Sequence, residues 1–362
     1  MPAHRKKKGY YSGKMYEYAA SFHEGLAAVM KDGFYGFIDK KGEVIIPFAY
    51  GVAGEFFDGL TYASKGNGMG VIDKTGNTVV PFIYDSVSTA PLFSEGLARF
   101  SMRGKYGFVN KIGDVVIPFI YEHGQCGRFS EGIAWAYSEK YNKCGYINKT
   151  GEIVIPFIYD AANDFHDGLA LVWKNDKAGY IDNTGELVVP LIYDGALDFS
   201  DGLASVIKDD KYGYIDTTGN AIIPFIYEGG WRFKDGLAFV SRSGKWSVID
   251  IIGNELTSFI YGRDGLFYEG FASVIKEGKW GFIDQTGKEI TPFIYDYALG
   301  FQEGCAVVRR GSKYGFIDVM GYEVIPLLYS NVNEFREGLA AVGIGSKWKY
   351  IDKGGKTVIP LI

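Results

Sequence analysis

The sequence predicts an all-β fold of ten tandem units of about 34 residues, each made of three short antiparallel strands. Three observations predict it. A glycine in the phrase Phe-x-(Asp/Glu)-Gly-Leu-Ala-x-Val returns at 25, 59, 96, 132, 168, 202, 236, 270, 304 and 338, with spacings of 34, 37, 36, 36 and then 34 five times. Behind that glycine, small or β-branched residues alternate, as in Ala27/Val29, Ala170/Val172, Ala272/Val274 and Ala306/Val308, and period two over a short run marks a strand. An (Asp/Asn)-x-x-Gly turn then recurs in all ten units, from Asp39/Gly42 to Asp352/Gly355.

The elements follow in order. The alternating strand ends in a tight turn with glycine, such as Lys31-Asp32-Gly33, Ser243-Gly244 or Glu277-Gly278, the residue that hairpins favour. The second strand is Tyr-Gly-Phe-Ile-Asp, as at 35–39 and 314–318. In the next turn the Asp or Asn side chain accepts backbone N–H groups just ahead of it, and glycine takes the left-handed position. Turn chemistry therefore accounts for a carboxylate in every unit without a metal. The third strand, such as Glu152–Tyr159, carries nine of the eleven prolines, at 47, 81, 118, 156, 190, 224, 292, 326 and 360; Ser258 stands in the seventh unit. Proline donates no ladder hydrogen bond, so the part before it is expected to pair and the part after it to turn away and bury the next unit.

Phenylalanine lies three residues before every key glycine, from Phe22 to Phe335, which predicts one buried ring per contact between units. Residues 1–15 form a basic N-terminal tail with Arg5-Lys6-Lys7-Lys8, and 16–362 a single repeat domain. Tyr16–Phe22 matches Tyr295–Phe301, so residues 16–22 are expected to complete the last unit. Open stacks need polar capping units, and none is present. A propeller-like closed ring is therefore favoured over an open β-superhelix or solenoid, although ten units exceed the usual number of blades and three strands fall short of the usual four.

The chain has 38 Lys+Arg against 43 Asp+Glu, a net charge of −5, without the basic footprint of a nucleic-acid binder. No run approaches the ~18 apolar residues of a membrane span. No apolar segment follows the basic start, which points to the cytoplasm. Cys126, Cys144 and Cys305 are too few for a disulfide framework, and Cys144 and Cys305 fall on apolar repeat positions. His4 lies in the tail, and His23 and His166 fill a variable slot; His123-x-x-Cys126 provides two metal ligands where structural zinc needs four. No nucleophile elbow, P-loop or zinc-protease motif occurs. No catalytic, cofactor or metal residue is expected.

The phrases Lys279-Trp-Gly-Phe-Ile-Asp284, Lys313-Tyr-Gly-Phe-Ile-Asp318 and Gly151-Glu-Ile-Val-Ile-Pro156 resemble the bacterial WG-repeat family, also called KWG repeats. The resemblance covers nearly the whole chain. Trp-Gly is intact only at Trp280-Gly281; Trp246-Ser247 and Trp348-Lys349 are altered, and tyrosine stands at 35, 106, 212 and 314. It implies a β-repeat binding module without a shared catalytic centre.

Function in repeat proteins sits where the repeat varies. Three and five residues past the key glycine, the alternating strand carries Tyr62, Trp135, Tyr137 and Trp173, where other units have Ala28, Ser205 or Ser273. The second to fourth units read as having longer loops, around Lys65–Met69, Pro91 and Ser138–Lys143. Tyr62, Trp135, Tyr137 and Trp173 are the expected partner-binding residues, with aromatic anchors of the hot-spot kind; the alternative is that these rings pack between units. The expected function is a non-enzymatic scaffold for a protein partner, with a carbohydrate or cell-envelope binding module as the alternative.

Overall fold

The computed structural model describes residues 16–87, 92–121, 126–262, 265–345 and 347–361. The basic tail, His4, His123 and Pro91 lie outside the described residues. Ten small antiparallel sheets follow one another as the blades of a closed β-propeller, and each is a meander in sequence order. Blade 5 is representative, with an inner strand Ala161–His166, a second strand Leu169–Lys174, a third strand Lys177–Asp182 and an outer strand Leu187–Tyr193.

The units thus have four strands where the sequence predicts three. The additional one is the segment around the ladder phenylalanine, often only two residues long, as at Gly195–Ala196. Its shortness hides its period. It lies nearest the axis, where successive inner segments touch: Asn163 Nδ2 donates to Asp198 Oδ1 and Asn333 Nδ2 to the Ala19 carbonyl, each at 2.8 Å. In blades 2 and 4 the inner strand is reduced to single bridges at Ala53 and Cys126, and in blades 7 and 8 the outer strand is reduced to paired bridges.

A hairpin with positive φ at both central residues, such as Glu24 (50°) and Gly25 (83°), joins the inner and second strands. The second and third strands meet at Asp32 and Gly33 in the same geometry. The supposed longer loop at Lys65–Met69 is also a two-residue turn, between Leu60–Lys65 and Gly68–Asp73, with positive φ at Gly66; the three extra residues of that stretch fall later in the chain. In the Asp-x-x-Gly turn, Asp73 Oδ1 accepts the N–H groups of Thr75 and Asn77, both at 2.9 Å.

The outer strand does not leave the sheet at its proline. In blade 4, Tyr146 pairs with Ile155 and Cys144 with Tyr159, so the ladder resumes beyond a bulge that holds Pro156. Proline at an outer-edge bulge loses no ladder bond and blunts the edge. The bulge also explains the glycine of the Tyr-Gly pair, because a Cβ on Gly145 would sit 2.7 Å from the Ile155 carbonyl oxygen. Where Lys349 replaces that glycine the bulge at this step is lost and Lys349 faces Pro360 in register, with one irregularity left between Tyr350 and Ile351. In blade 7, Ser247 replaces it and hydrogen-bonds the Thr257 carbonyl, and Thr257 Oγ1 accepts the Val248 N–H. In blade 8, where Gly281 is kept, Thr291 Oγ1 accepts the Phe282 N–H in the same way, so in both blades a threonine competes for ladder groups and weakens the outer strand.

The core is ten buried clusters, one between each pair of neighbouring blades, including the last and the first. Nine of the ten ladder phenylalanines are buried; Phe93 is half-buried and Leu92 fills its place. In most interfaces the phenylalanine meets a Phe or Tyr on the third strand of the preceding blade, as in Tyr180–Phe199 at 4.6 Å. Phe22 meets Tyr350 at 4.8 Å, and the Tyr350 hydroxyl donates to the Ala20 carbonyl. Residues 16–22 fill the last interface with their side chains, yet Tyr18–Ala19 is hydrogen-bonded into the first sheet. The ring is closed by packing, and the ends do not share a sheet.

A belt of acidic residues runs around one face. In most units the residue before the key glycine reaches forward to the next blade: Glu24 accepts the Gly59 N–H at 2.9 Å, Glu269 that of Gly304 at 2.7 Å, and Glu337 closes the circle on Gly25 at 3.0 Å. Lys40 pairs with Glu337 and Lys149 with Glu95, both at 2.9 Å. Lys149 holds the Glu95 carboxyl below its ordinary range. Burial alone would raise Glu337, but Lys40 and the N–H groups of Gly25 and Glu24 outweigh it and hold it low.

Two outcomes follow. Phe199→Ala should cost about 3–5 kcal/mol in chemical denaturation; a melting point within a degree or two of wild type would exclude the ring ladder as a main support. A carboxyl lowered in the folded state stabilises above its unfolded value of 4.5, and that contribution disappears as pH falls through the folded value. Glu337→Gln should therefore flatten the acid-side decline of melting temperature between roughly pH 5 and 3; an unchanged slope would count against it.

Candidate functional site

The other face of the ring carries the turns between second and third strands and the connections from each outer strand to the next inner strand. Lys143–Asp160, Lys177–Asp194 and Lys279–Asp296 pair across it. Next to these turns, the second residue of the third strand points toward the following blade. From blade 6 round to blade 1 this position holds Tyr212, Trp246, Trp280, Tyr314, Trp348 and Tyr35, all half-buried. Met69 and Tyr106 continue the circle, and buried Cys144 and Ala178 interrupt it. An arc of rings therefore covers one side of this face.

Residues of the inner strands fit between the rings. Tyr18 stands edge-on to Trp348 and Tyr35, and Tyr297 to Trp280 and Tyr314. The Arg309 guanidinium lies 5.8 Å from the Tyr297 ring centre and 5.7 Å from that of Tyr314. Its Nε is buried without a hydrogen-bond partner. Between blades 6 and 7 the arc opens into a cleft of about 330 Å³, lined among others by Tyr212, Glu228, Gly229, Trp231, Ser241 and Trp246. Trp231 is 42 % exposed there, a large apolar ring left in solvent at the rim.

The four residues singled out by sequence do not form one surface. Tyr62 packs in the core between blades 2 and 3, Trp135 and Tyr137 between blades 4 and 5, and Trp173 between blades 5 and 6; all are half-buried. Tyr62 and Trp135 fold over Gly54 and Gly127, where a Cβ would lie 2.4 Å from either ring. Burial, with Glu55 and Tyr35 adding to it, raises the Tyr62 hydroxyl. Tyr137 lines a second cleft of about 410 Å³ at the rim with Ile120, Tyr141 and Phe157. Sequence reasoning missed the arc because its rings occupy the repeat's own signature position. The signal was the inner-strand residue beside them, which varies from Tyr18 and Tyr297 through Val52 and Ala161 to Gly229.

Among the described residues no group of three or more His, Cys, Asp or Glu could hold a metal ion. The three cysteines are free and buried, and burial pushes the Cys126 thiol up to about 12 and that of Cys144 to about 11. Such thiols stay protonated and are poor nucleophiles. No helix among the described residues is long and apolar enough to cross a membrane.

Fold and face together define a ten-bladed β-propeller with an arc of aromatic rings on one face. The chain belongs to the family of the WG containing repeat, which matches residues 14–33, 35–68, 69–106, 106–140, 145–177, 179–212, 212–246, 246–280, 280–314 and 314–348. No curated protein sequence matches it. Among solved structures it is similar to a eukaryotic initiation factor, with TM-score 0.55 and 11% identity over 95% of this chain and 100% of that one. It is also similar to PorZ, a surface component of the type-IX secretion system of Porphyromonas gingivalis (TM-score 0.31, 9% identity, 96% of this chain and 52% of that one). Kluyveromyces lactis Hsv2p gives TM-score 0.36 and 10% identity over 66% and 93%. At 11% identity the first likeness is one of fold alone.

Because Trp135, Tyr137 and Trp173 pack between blades, replacing each singly with Ala should lower stability on the order of 2 kcal/mol. Urea denaturation reads this directly, and unchanged midpoints would return these rings to the surface reading.

Proposed function

We propose that the chain is a non-enzymatic interaction scaffold that binds a protein partner on its aromatic face. The observation that carries the reading is the arc of half-buried rings from Tyr212 to Tyr35. Such rings bring large contact area with few rotatable bonds, and partly buried aromatics beside arginine are what interface hot spots are made of. Tyr297 with Arg309 is one such pairing. The propeller supports the reading from the other side. Its blades hold the face rigid, so that little ordering free energy is lost on binding.

The test uses substitutions the repeat itself tolerates. Ala161 occupies in blade 5 the place of Tyr18 and Tyr297, so the double variant Tyr18→Ala, Tyr297→Ala should fold. Crosslinking capture from lysate with mass-spectrometric readout is expected to enrich a protein with wild type and lose it with this variant. Equal enrichment by both would move the site off this face. Capture of no protein, with glycan binding in its place, would put the carbohydrate reading first.

A further inference from the structure

The repeat contains its own template for what the cleft between blades 6 and 7 accepts. At two interfaces a tyrosine of the inner strand is wedged between consecutive rings of the arc. Tyr18 lies 6.3 Å from Trp348 and 6.1 Å from Tyr35, with ring planes crossing at 64° and 74°. Tyr297 lies 6.3 Å from both Trp280 and Tyr314, at 62° and 77°. Edge-to-face contact at this distance is a favoured geometry for aromatic pairs. Both tyrosines take the same register, opposite Met30 and Arg309 of the second strand.

In blade 7 the residue in that register is Gly229, opposite Ser241. The walls remain, since Tyr212 and Trp246 hold the places of Trp280 and Tyr314. The wedge is missing, and so is the long side chain that would cover it. A Cβ on Gly229 would point at Trp246, 3.0 Å from Cη2, and at Ser241 Oγ, 2.7 Å away. Its φ is not in the left-handed region, so the backbone does not require glycine there. Glycine lets Ser241 and the Trp246 ring close in on the backbone there, and beside them lies the open cleft of about 330 Å³, lined by Tyr212 and Trp246.

We propose that this slot receives the ring of a tyrosine from a partner polypeptide, which takes the place that Tyr18 and Tyr297 hold in their own blades. The proposal rests on the scaffold reading above and names the side chain that the face recognises. The partner's ring stands edge-on to Tyr212 and Trp246, as the internal tyrosines stand to their neighbours. A flat sugar ring, which stacks face-on, does not match that geometry. Glu228 at the same cleft provides an acceptor for a polar group beside the ring.

The experiment is saturation-transfer NMR on the full chain with N-acetyltyrosinamide as probe and N-acetylleucinamide as control. Transfer to the phenol ring protons is expected with wild type, and none to leucine. Gly229→Tyr puts a ring into the slot from within and should abolish transfer, with Ser241 Oγ and the Trp246 ring shifting to admit its Cβ. Absence of transfer with wild type, equal transfer to leucine, or transfer that persists in folded Gly229→Tyr overturns the proposal. If Gly229→Tyr does not fold, Tyr212→Ala, which removes one wall of the cleft, must abolish transfer in its place. Failure here while Tyr18→Ala, Tyr297→Ala still loses the captured protein removes the slot and leaves the scaffold; failure of both removes the aromatic face as its binding surface as well.

Discussion

Everything in this molecule depends on one contact repeated around a circle: the ring of a ladder phenylalanine seated against the third strand of the blade before it. A propeller closes only if every interface turns the chain through the same fraction of the circle, and errors at single interfaces add up. Rings locked at 4.6 Å in Tyr180–Phe199, 4.9 Å in Tyr214–Phe233 and 4.8 Å in Tyr350–Phe22 set nearly the same spacing each time. Packing at interior density leaves little slack in that spacing. The acidic belt repeats the constraint in another form, because a carboxylate that reaches a backbone N–H one blade away fixes distance as well as contact.

That constraint explains which parts of the fold were legible in the sequence. The phenylalanine ladder, the Asp-x-x-Gly turns and the alternating strands had to recur because each interface must be the same, so the blade count and the ring could be read from them. The inner strand could not. Two residues such as Gly195–Ala196 carry no period, and they are held by the neighbouring blade more than by their own composition. The bulge at Pro156 was hidden for a related reason: proline announces an irregularity, but the resumption of the ladder at Tyr159 depends on the absence of a side chain at Gly145, on a different strand. The candidate face was the least legible. Tyr62, Trp135, Tyr137 and Trp173 attract notice as large residues at variable positions, yet variable positions beside a neighbouring blade can be filled from either side. Tyr62 over Gly54 and Trp135 over Gly127 are such exchanges of volume.

The signature pair of the repeat thus has two separate tasks on adjacent residues. The glycine serves the edge of the blade. It lets the bulged outer strand pass, and where Lys349 replaces it the bulge at that step is lost. The aromatic residue before it serves the face, where it points toward the next blade and meets whatever the inner strand presents. Because the two side chains lie on opposite sides of the third strand, either can vary without the other, and the tyrosines at 35, 212 and 314 keep the aromatic task.

A scaffold made this way acquires specificity by subtraction. Nine or ten equivalent positions cannot all be distinct pockets if each must also hold the ring closed, so most are filled from within, by Tyr18, Tyr297 or Trp173. A pocket arises where one filler is deleted and its walls are kept. Deletion costs the blade the contacts that the missing ring would have made, but it leaves the ladder phenylalanine and the belt untouched, since those lie elsewhere in the same interface. Between blades 6 and 7, Phe233 is fully buried against Tyr214 and Asp201 still accepts the Gly236 N–H at 2.8 Å, while Gly229 opens the slot above them. The closing contacts and the recognising contacts occupy different levels of one interface, and that separation allows a ring this constrained to vary at all.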